Sequence, residues 1–320
     1  MTKAMLGLLC MLGTGSVRHG QVRVESFYSQ ALGVPKHYLI YLPPSYARGN
    51  RRYPVAYYLH GYSGSESDWL SFAEIDRVAD SVFAGGAPEM ILVMPDGDDG
   101  WYTDWAEPQT YAACMADTTL DRRGTTYCTE RDGYGTYVAH DLVAHIDSTY
   151  RTRADRRHRG IAGLSMGGYG AIALALTHPD EFAAAASHSG VLSPLYAGPH
   201  PFAPPPRFFA SLDSMRGTVR WTRTANGQVF GDDVAGWLAH DPARLARRLQ
   251  AAGGPFPALF VDGGTEDGLI DESRAFHAEL VAMGVPHQYA EWPGLHDWRY
   301  WRAHVGESLA WLAARLDSTP

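Results

Sequence analysis

Two kinds of hydrophobic pattern follow one another along the chain. Residues 22–28 and 37–42 alternate apolar and polar side chains, the signature of strands with one buried face, and the short loop between them predicts an antiparallel pair. Residues 55–59, 90–94, 160–163, 183–187, 258–262 and 287–292 are instead nearly continuous apolar runs, as expected of parallel strands covered on both faces. Helical periods lie between them. Tyr134, Tyr137, Val138, Leu142, His145 and Ile146 share one helical face, and 168–176, rich in Ala and Leu from 171 on, reads as a helix. Asp241 before Pro242 reads as an N-cap with proline in the first turn, and 273–283 and 302–316 are amphipathic. Strands alternating with helices predict an α/β fold, a mostly parallel eight-stranded sheet with helices on both faces.

Two stretches break the alternation. Residues 96–132 are rich in Gly, Asp, Trp and Tyr, and 193–236 are rich in proline. Long irregular insertions in a compact domain usually serve as lids or binding loops. No internal repeat and no linker divides the chain.

Composition narrows the picture. At 320 residues and 45% hydrophobic, the chain can bury a sizeable core. Its net charge is -8 and its one basic cluster, 151–159, is a solvated turn rather than a broad positive face, so no nucleic-acid partner is expected. No apolar run is long enough for a membrane span. The N-terminus places Lys3 before an apolar stretch, 4–12, and small residues, 13–16, in the order of a secretory signal peptide. On that reading residues 1–16 are a leader, 17–320 form one domain, and the protein is secreted or periplasmic. The alternative is a frayed or buried N-terminal segment of a cytoplasmic protein. Removing the leader removes Cys10 and leaves Cys114 and Cys128, either a disulfide across a polar loop or two free thiols. No spacing suggests a metal site, and no cofactor is expected.

Gly163-Leu164-Ser165-Met166-Gly167 matches G-x-S-x-G, which chance alone can produce in a chain with 34 glycines. Its context is more telling, because Ser165 falls between a predicted strand and a predicted helix, the turn that exposes a nucleophilic hydroxyl. A serine needs a histidine as base and a carboxylate to orient it. Asp267 follows the 258–262 strand and His296 follows the 287–292 strand, both at the same sheet edge as Ser165. Asp262 and Asp271 are alternative acids. His287 lies inside a strand and His304 inside a helix, so both read as packing or surface residues. Met166 and Tyr62 offer backbone N–H groups for an oxyanion hole, Tyr62 through the His60-Gly61 turn after strand 55–59. His60 reads as a hydrogen-bonding residue of that turn, and Ser63 and Ser65 as turn residues.

His60-Gly61-Tyr62 with Asp68-Trp69, Gly163 to Ala171, Gly264 to Asp267 and Gly294 to Trp301 together resemble the putative-esterase (esterase D-like) family of α/β-hydrolases, from about Gln21 to Leu316. That family includes feruloyl esterases, S-formylglutathione hydrolases, enterochelin esterases and the antigen 85 mycolyltransferases. Leu164, Asp297 and Trp298 depart from the formylglutathione hydrolase pattern. The 100–105 segment is similar to an aromatic segment near the active site of the secreted mycolyltransferases and feruloyl esterases, and the cysteine pair after it has a counterpart in the mycolyltransferases. The resemblance implies an α/β-hydrolase fold and a serine carboxylesterase acting on feruloyl, acetyl or other small or polysaccharide-linked esters. Its rivals are an acyltransferase, in which a sugar hydroxyl replaces water, and a non-catalytic carbohydrate-binding protein. Trp101, Trp105, Tyr169 and Trp298 are then candidate substrate contacts, with Trp69 and Tyr102 beside them. The alternative for all six is packing under the long loops.

Overall fold

Strands β1 (Gln21–Ser29) and β2 (Val34–Leu42) pair antiparallel in register from Gln21 opposite Leu42 to Ser29 opposite Val34. Their turn closes on Gly33, whose φ of +71° is a conformation that glycine takes without strain. The computed structural model describes residues 19–108, 110–116, 128–216 and 227–316. The expected leader over residues 1–16 lies outside them, as do 109 and 117–127 of the first insertion and 217–226 of the second.

The other strands are β3 (Val55–Leu59), β4 (Ile91–Pro95), β5 (Arg159–Leu164), β6 (Ala184–His188), β7 (Tyr196–Gly198), β8 (Arg207–Phe208), β9 (Ala258–Gly264) and β10 (His287–Trp292). β7 and β8 form a small hairpin within the second insertion, and the remaining eight make one sheet in the order β1-β2-β4-β3-β5-β6-β9-β10. β2 meets β4 antiparallel, and every pairing from β4 to β10 is parallel.

The continuous apolar runs arise because alternate residues enter separate cores. Val55, Tyr57 and Leu59 of β3 face one layer, with the helices Met166–Thr177, Pro242–Ala252 and Ile270–Ala282. Ala56 and Tyr58 face the other, with helices Ile75–Ala84 and Trp298–Leu316. The Asp241 side chain caps its helix by accepting the Arg244 N–H.

Several helices differ from the periodicity reading. Ile75–Ala84 was not among the expected elements, although Ile75, Ala79 and Phe83 are buried at four-residue spacing. Met166–Thr177 begins two residues before the expected 168, because its first turn holds Gly167 and Gly168, which are poor helix formers. Here packing overrides propensity: a Cβ on Gly167 would lie 2.4 Å from Leu59 O.

From β3 the chain moves to β4 on one side, then crosses to β5 on the other. Loops at the carboxyl ends of β3 and β5 therefore diverge and leave a crevice, the usual ligand position in an open α/β sheet.

Cys114, in the short helix Tyr111–Ala116, is disulfide-bonded to Cys128 across a sequence separation of 14. Closing a loop of that size contributes about 3 kcal/mol in the chain-entropy model. Reductant should therefore lower the denaturation midpoint, and thiol titration of the non-reduced protein should find neither cysteine. Two reactive thiols at these positions would contradict the bond.

Candidate active site

Ser165 stands between β5 and the Met166–Thr177 helix with φ 52° and ψ -118°, a strained conformation for a residue with a Cβ. Its surroundings hold it there: Ser165 N–H donates to His188 O at 3.0 Å, and Tyr169 N–H donates to Ser165 O at 3.0 Å. The motif glycines permit the close approach. A Cβ on Gly163 would lie 2.3 Å from Gly167 O.

Two loops bring the other residues to Ser165. The loop after β9 carries Asp267 and the loop after β10 carries His296. The two are joined by the Thr265 N–H to Trp292 O bond at 2.9 Å and the Glu266 N–H to Gly294 O bond at 3.0 Å. His296 Nε2 is 3.0 Å from Ser165 Oγ, and His296 Nδ1 is 2.9 Å from Asp267 Oδ2. An ionised carboxylate only accepts, so Nδ1 carries the proton and Nε2 accepts from the Ser165 hydroxyl. Burial opposes the charge on Asp267, but the hydrogen bond and charge attraction of His296 and the Leu269 N–H bond outweigh it and hold the carboxyl below its ordinary range. Asp267 is 3% exposed, whereas the His296 side chain is 28% exposed, so the ring alone opens to solvent. Trp301 meets the His296 ring edge-on at 5.0 Å.

The alternative residues are engaged elsewhere. Asp262 lies 2.7 Å from His188 Nδ1 and accepts from Tyr300 OH at 2.9 Å, fully buried. Asp271 pairs with Arg274 and His200 and accepts the Phe202 N–H. His287 contacts His277 at 2.7 Å, and His304 stacks on Trp292 at 4.2 Å. His188 itself escaped the sequence reading. Its Nε2 is 2.8 Å from Ser308 Oγ, 120 residues away, a pairing no local pattern announces.

Met166 is the first residue of its helix, where backbone N–H groups have no acceptor within the helix. The His60-Gly61-Tyr62 turn packs directly on the serine, because a Cβ on Gly61 would be 3.5 Å from Ser165 Cβ. His60 is fully buried. Gly97 N–H donates to its Nε2 at 2.9 Å, and its Nδ1 donates to Gly61 O at 2.8 Å, so the ring is a structural bridge.

Trp101 and Tyr169 are buried, meeting each other and Phe230 edge-to-face at 5.6 Å, and Tyr169 OH donates to His240 O. Trp105 is half-buried and donates to Gly100 O. Trp298 is half-buried between Trp69, Phe72 and Trp301. Trp69 and Tyr102 are buried and donate to Leu59 O and His60 O. A separate cavity of about 250 Å³, lined in part by Tyr102, Tyr169, His178, His240 and Arg248, flanks the serine-bearing helix and does not include Ser165 or His296.

A family model described as putative esterase matches residues 29–312. Esterase MT1326 of Mycobacterium tuberculosis is 28% identical over 292 residues, which is 85% of this chain and 55% of that protein. The chain thus spans about half the length of that curated relative. An acetyl esterase of Caldicellulosiruptor saccharolyticus is 24% identical over 261 residues, 82% of this chain and 84% of its own. Among solved structures, a ferulic acid esterase matches with a TM-score of 0.68 at 25% identity, covering 93% of this chain and 99% of its own.

Proposed function

The chain belongs to the putative-esterase family and has an α/β-hydrolase fold, and from that premise we propose that it is a serine carboxylesterase whose nucleophile is Ser165. The observation that carries this reading is the unbroken hydrogen-bond chain from Ser165 Oγ through His296 to Asp267. Ser165 Oγ attacks the ester carbonyl as its proton passes to His296 Nε2, while Asp267 stabilises the imidazolium. The Met166 and Tyr62 N–H groups hold the oxyanion. His296 then protonates the departing alkoxide, and the alcohol leaves behind an acyl-enzyme. Water attacks in turn, giving its proton to His296, and the acid departs as Ser165 is reprotonated. Atoms and protons balance without a metal or organic cofactor.

We place residues 17–320 in one hydrolase domain. The disulfide favours a secreted or periplasmic location, where such bonds persist. Among the described residues no helix is long and apolar enough to cross a membrane. As substrate contacts we favour Trp105 and Trp298, both half-buried, over the buried Trp101 and Tyr169.

The substrate class we favour is small or polysaccharide-linked feruloyl and acetyl esters. A panel of methyl ferulate, short and long p-nitrophenyl esters, acetylated xylan and S-formylglutathione tests it. The best rates are expected on the oxygen esters of ferulate or acetate. A best rate on the thioester would overturn the substrate reading, and a transfer product formed with a sugar acceptor would turn it to an acyltransferase.

A further inference from the structure

The segment 96–102, leaving β4, holds three non-glycine residues at positive φ: Asp98 at 45°, Trp101 at 55° and Tyr102 at 53°. Such conformations persist only where the surroundings over-determine them. At Asp98 the means is a buried charge cluster. Lys36, fully buried, donates through Nζ to Asp96 Oδ2 at 2.9 Å and Asp98 Oδ2 at 2.8 Å, and Tyr134 OH donates to Asp98 Oδ2 at 2.9 Å.

The segment so held grips the turn after β3 at three points. Gly97 N–H donates to His60 Nε2 at 2.9 Å, Tyr102 OH donates to His60 O at 3.1 Å, and Ser63 N–H donates to Asp99 Oδ1 at 2.5 Å. The first contact leaves the His60 proton on Nδ1, which donates to Gly61 O at 2.8 Å. In a trans peptide the C=O and the following N–H point in opposite directions. Gripping Gly61 O therefore turns the Tyr62 N–H the other way, and the Asp99 contact holds the next peptide, so the turn is held on both sides of Tyr62.

We propose that Asp99 is a positioning residue for the reaction, the outer clamp of a 96–102 brace that aims the Tyr62 N–H at the oxyanion. The proposal rests on Ser165 hydrolysing esters. It assigns Asp99 no contact with substrate, so its loss weakens binding of the tetrahedral state and leaves ground-state binding alone.

Three variants test it, Asp99→Ala, Asp99→Asn and Ser165→Ala, with p-nitrophenyl acetate as substrate and phenylboronic acid as a tetrahedral mimic. Losing one oxyanion donor outright costs about 10²–10³ in kcat, and a loosened donor should cost less. Asp99→Ala should lower kcat and boronic acid affinity about tenfold, with KM and melting temperature nearly unchanged. Asp99→Asn keeps an Oδ1 acceptor for the Ser63 N–H and should recover most of the loss. If turnover vanishes in Ser165→Ala but Asp99→Ala keeps wild-type kcat and boronic acid affinity, the positioning role is overturned and the esterase reading stands. Asp99→Asn as impaired as Asp99→Ala also overturns it. Turnover that survives Ser165→Ala overturns both.

Discussion

Ser165→Ala should lower p-nitrophenyl acetate hydrolysis by about four to six orders of magnitude, the range seen when a triad nucleophile is removed. The substitution deletes one hydroxyl and keeps the rest of the elbow. The Ser165 N–H bond to His188 O and the Tyr169 N–H bond to Ser165 O are backbone interactions that alanine preserves. Alanine also carries the same Cβ at φ 52°, so the strain is neither relieved nor increased. The melting temperature should therefore stay within about a degree or two, and activity loss without destabilisation is the diagnostic pair. Near-normal turnover by a folded Ser165→Ala protein would remove the nucleophile assignment.

Asp267→Asn is expected to reduce kcat by about 10⁴ for a different reason. The serine must give its proton to Nε2, so the imidazole has to carry its own proton on Nδ1. An ionised carboxylate enforces that arrangement by accepting at 2.9 Å and 3.1 Å. An asparagine amide can present its NH₂ to Nδ1 and stabilise the other tautomer, with a proton on Nε2 facing Ser165 Oγ. Stability should respond to pH as well. Because the folded state holds the Asp267 carboxyl below its ordinary range, its contribution is present above the unfolded value near about 4 and is lost as pH falls through the folded one. The stability gap between wild type and Asp267→Asn should thus narrow on acidification below about pH 4. Urea titrations at neutral and acidic pH measure it, and a gap that widened in acid would contradict the cause given for the shift.

Much of this is legible in the sequence. The change from alternating to continuous hydrophobic runs announced an antiparallel edge and a parallel interior, because burial on one face or two is written into local residue pattern. Ser165, Asp267 and His296 each follow a strand at one sheet edge, and in the structure their side chains meet. Glycines obscured the rest locally: Gly167, Gly168 and Gly170 hid the start of the helix that follows Ser165, since what they make room for comes from distant residues, the β3 backbone at Gly167, Ser187 and Gly190 at Gly168, and the Tyr102 ring at Gly170.

Residues far apart in sequence account for what periodicity and motif could not resolve. Asp262 and Asp267 sit five positions apart on the same strand and loop, and nothing local separates them as acids. The choice follows from where His188 and Tyr300 arrive, 74 and 38 residues from Asp262, to occupy that carboxylate. Lys36 looks like any strand lysine until β4 brings Asp96 and Asp98 against it. Likewise an aromatic in a loop is a wall or a buried prop according to what covers it, and Phe230 and His240 cover Tyr169. Local pattern encodes which face of an element is apolar, and that settles the sheet and the edge where chemistry can sit. Which polar groups share a site depends on the packing of distant strands, where desolvation makes each buried charge find its partner across the fold.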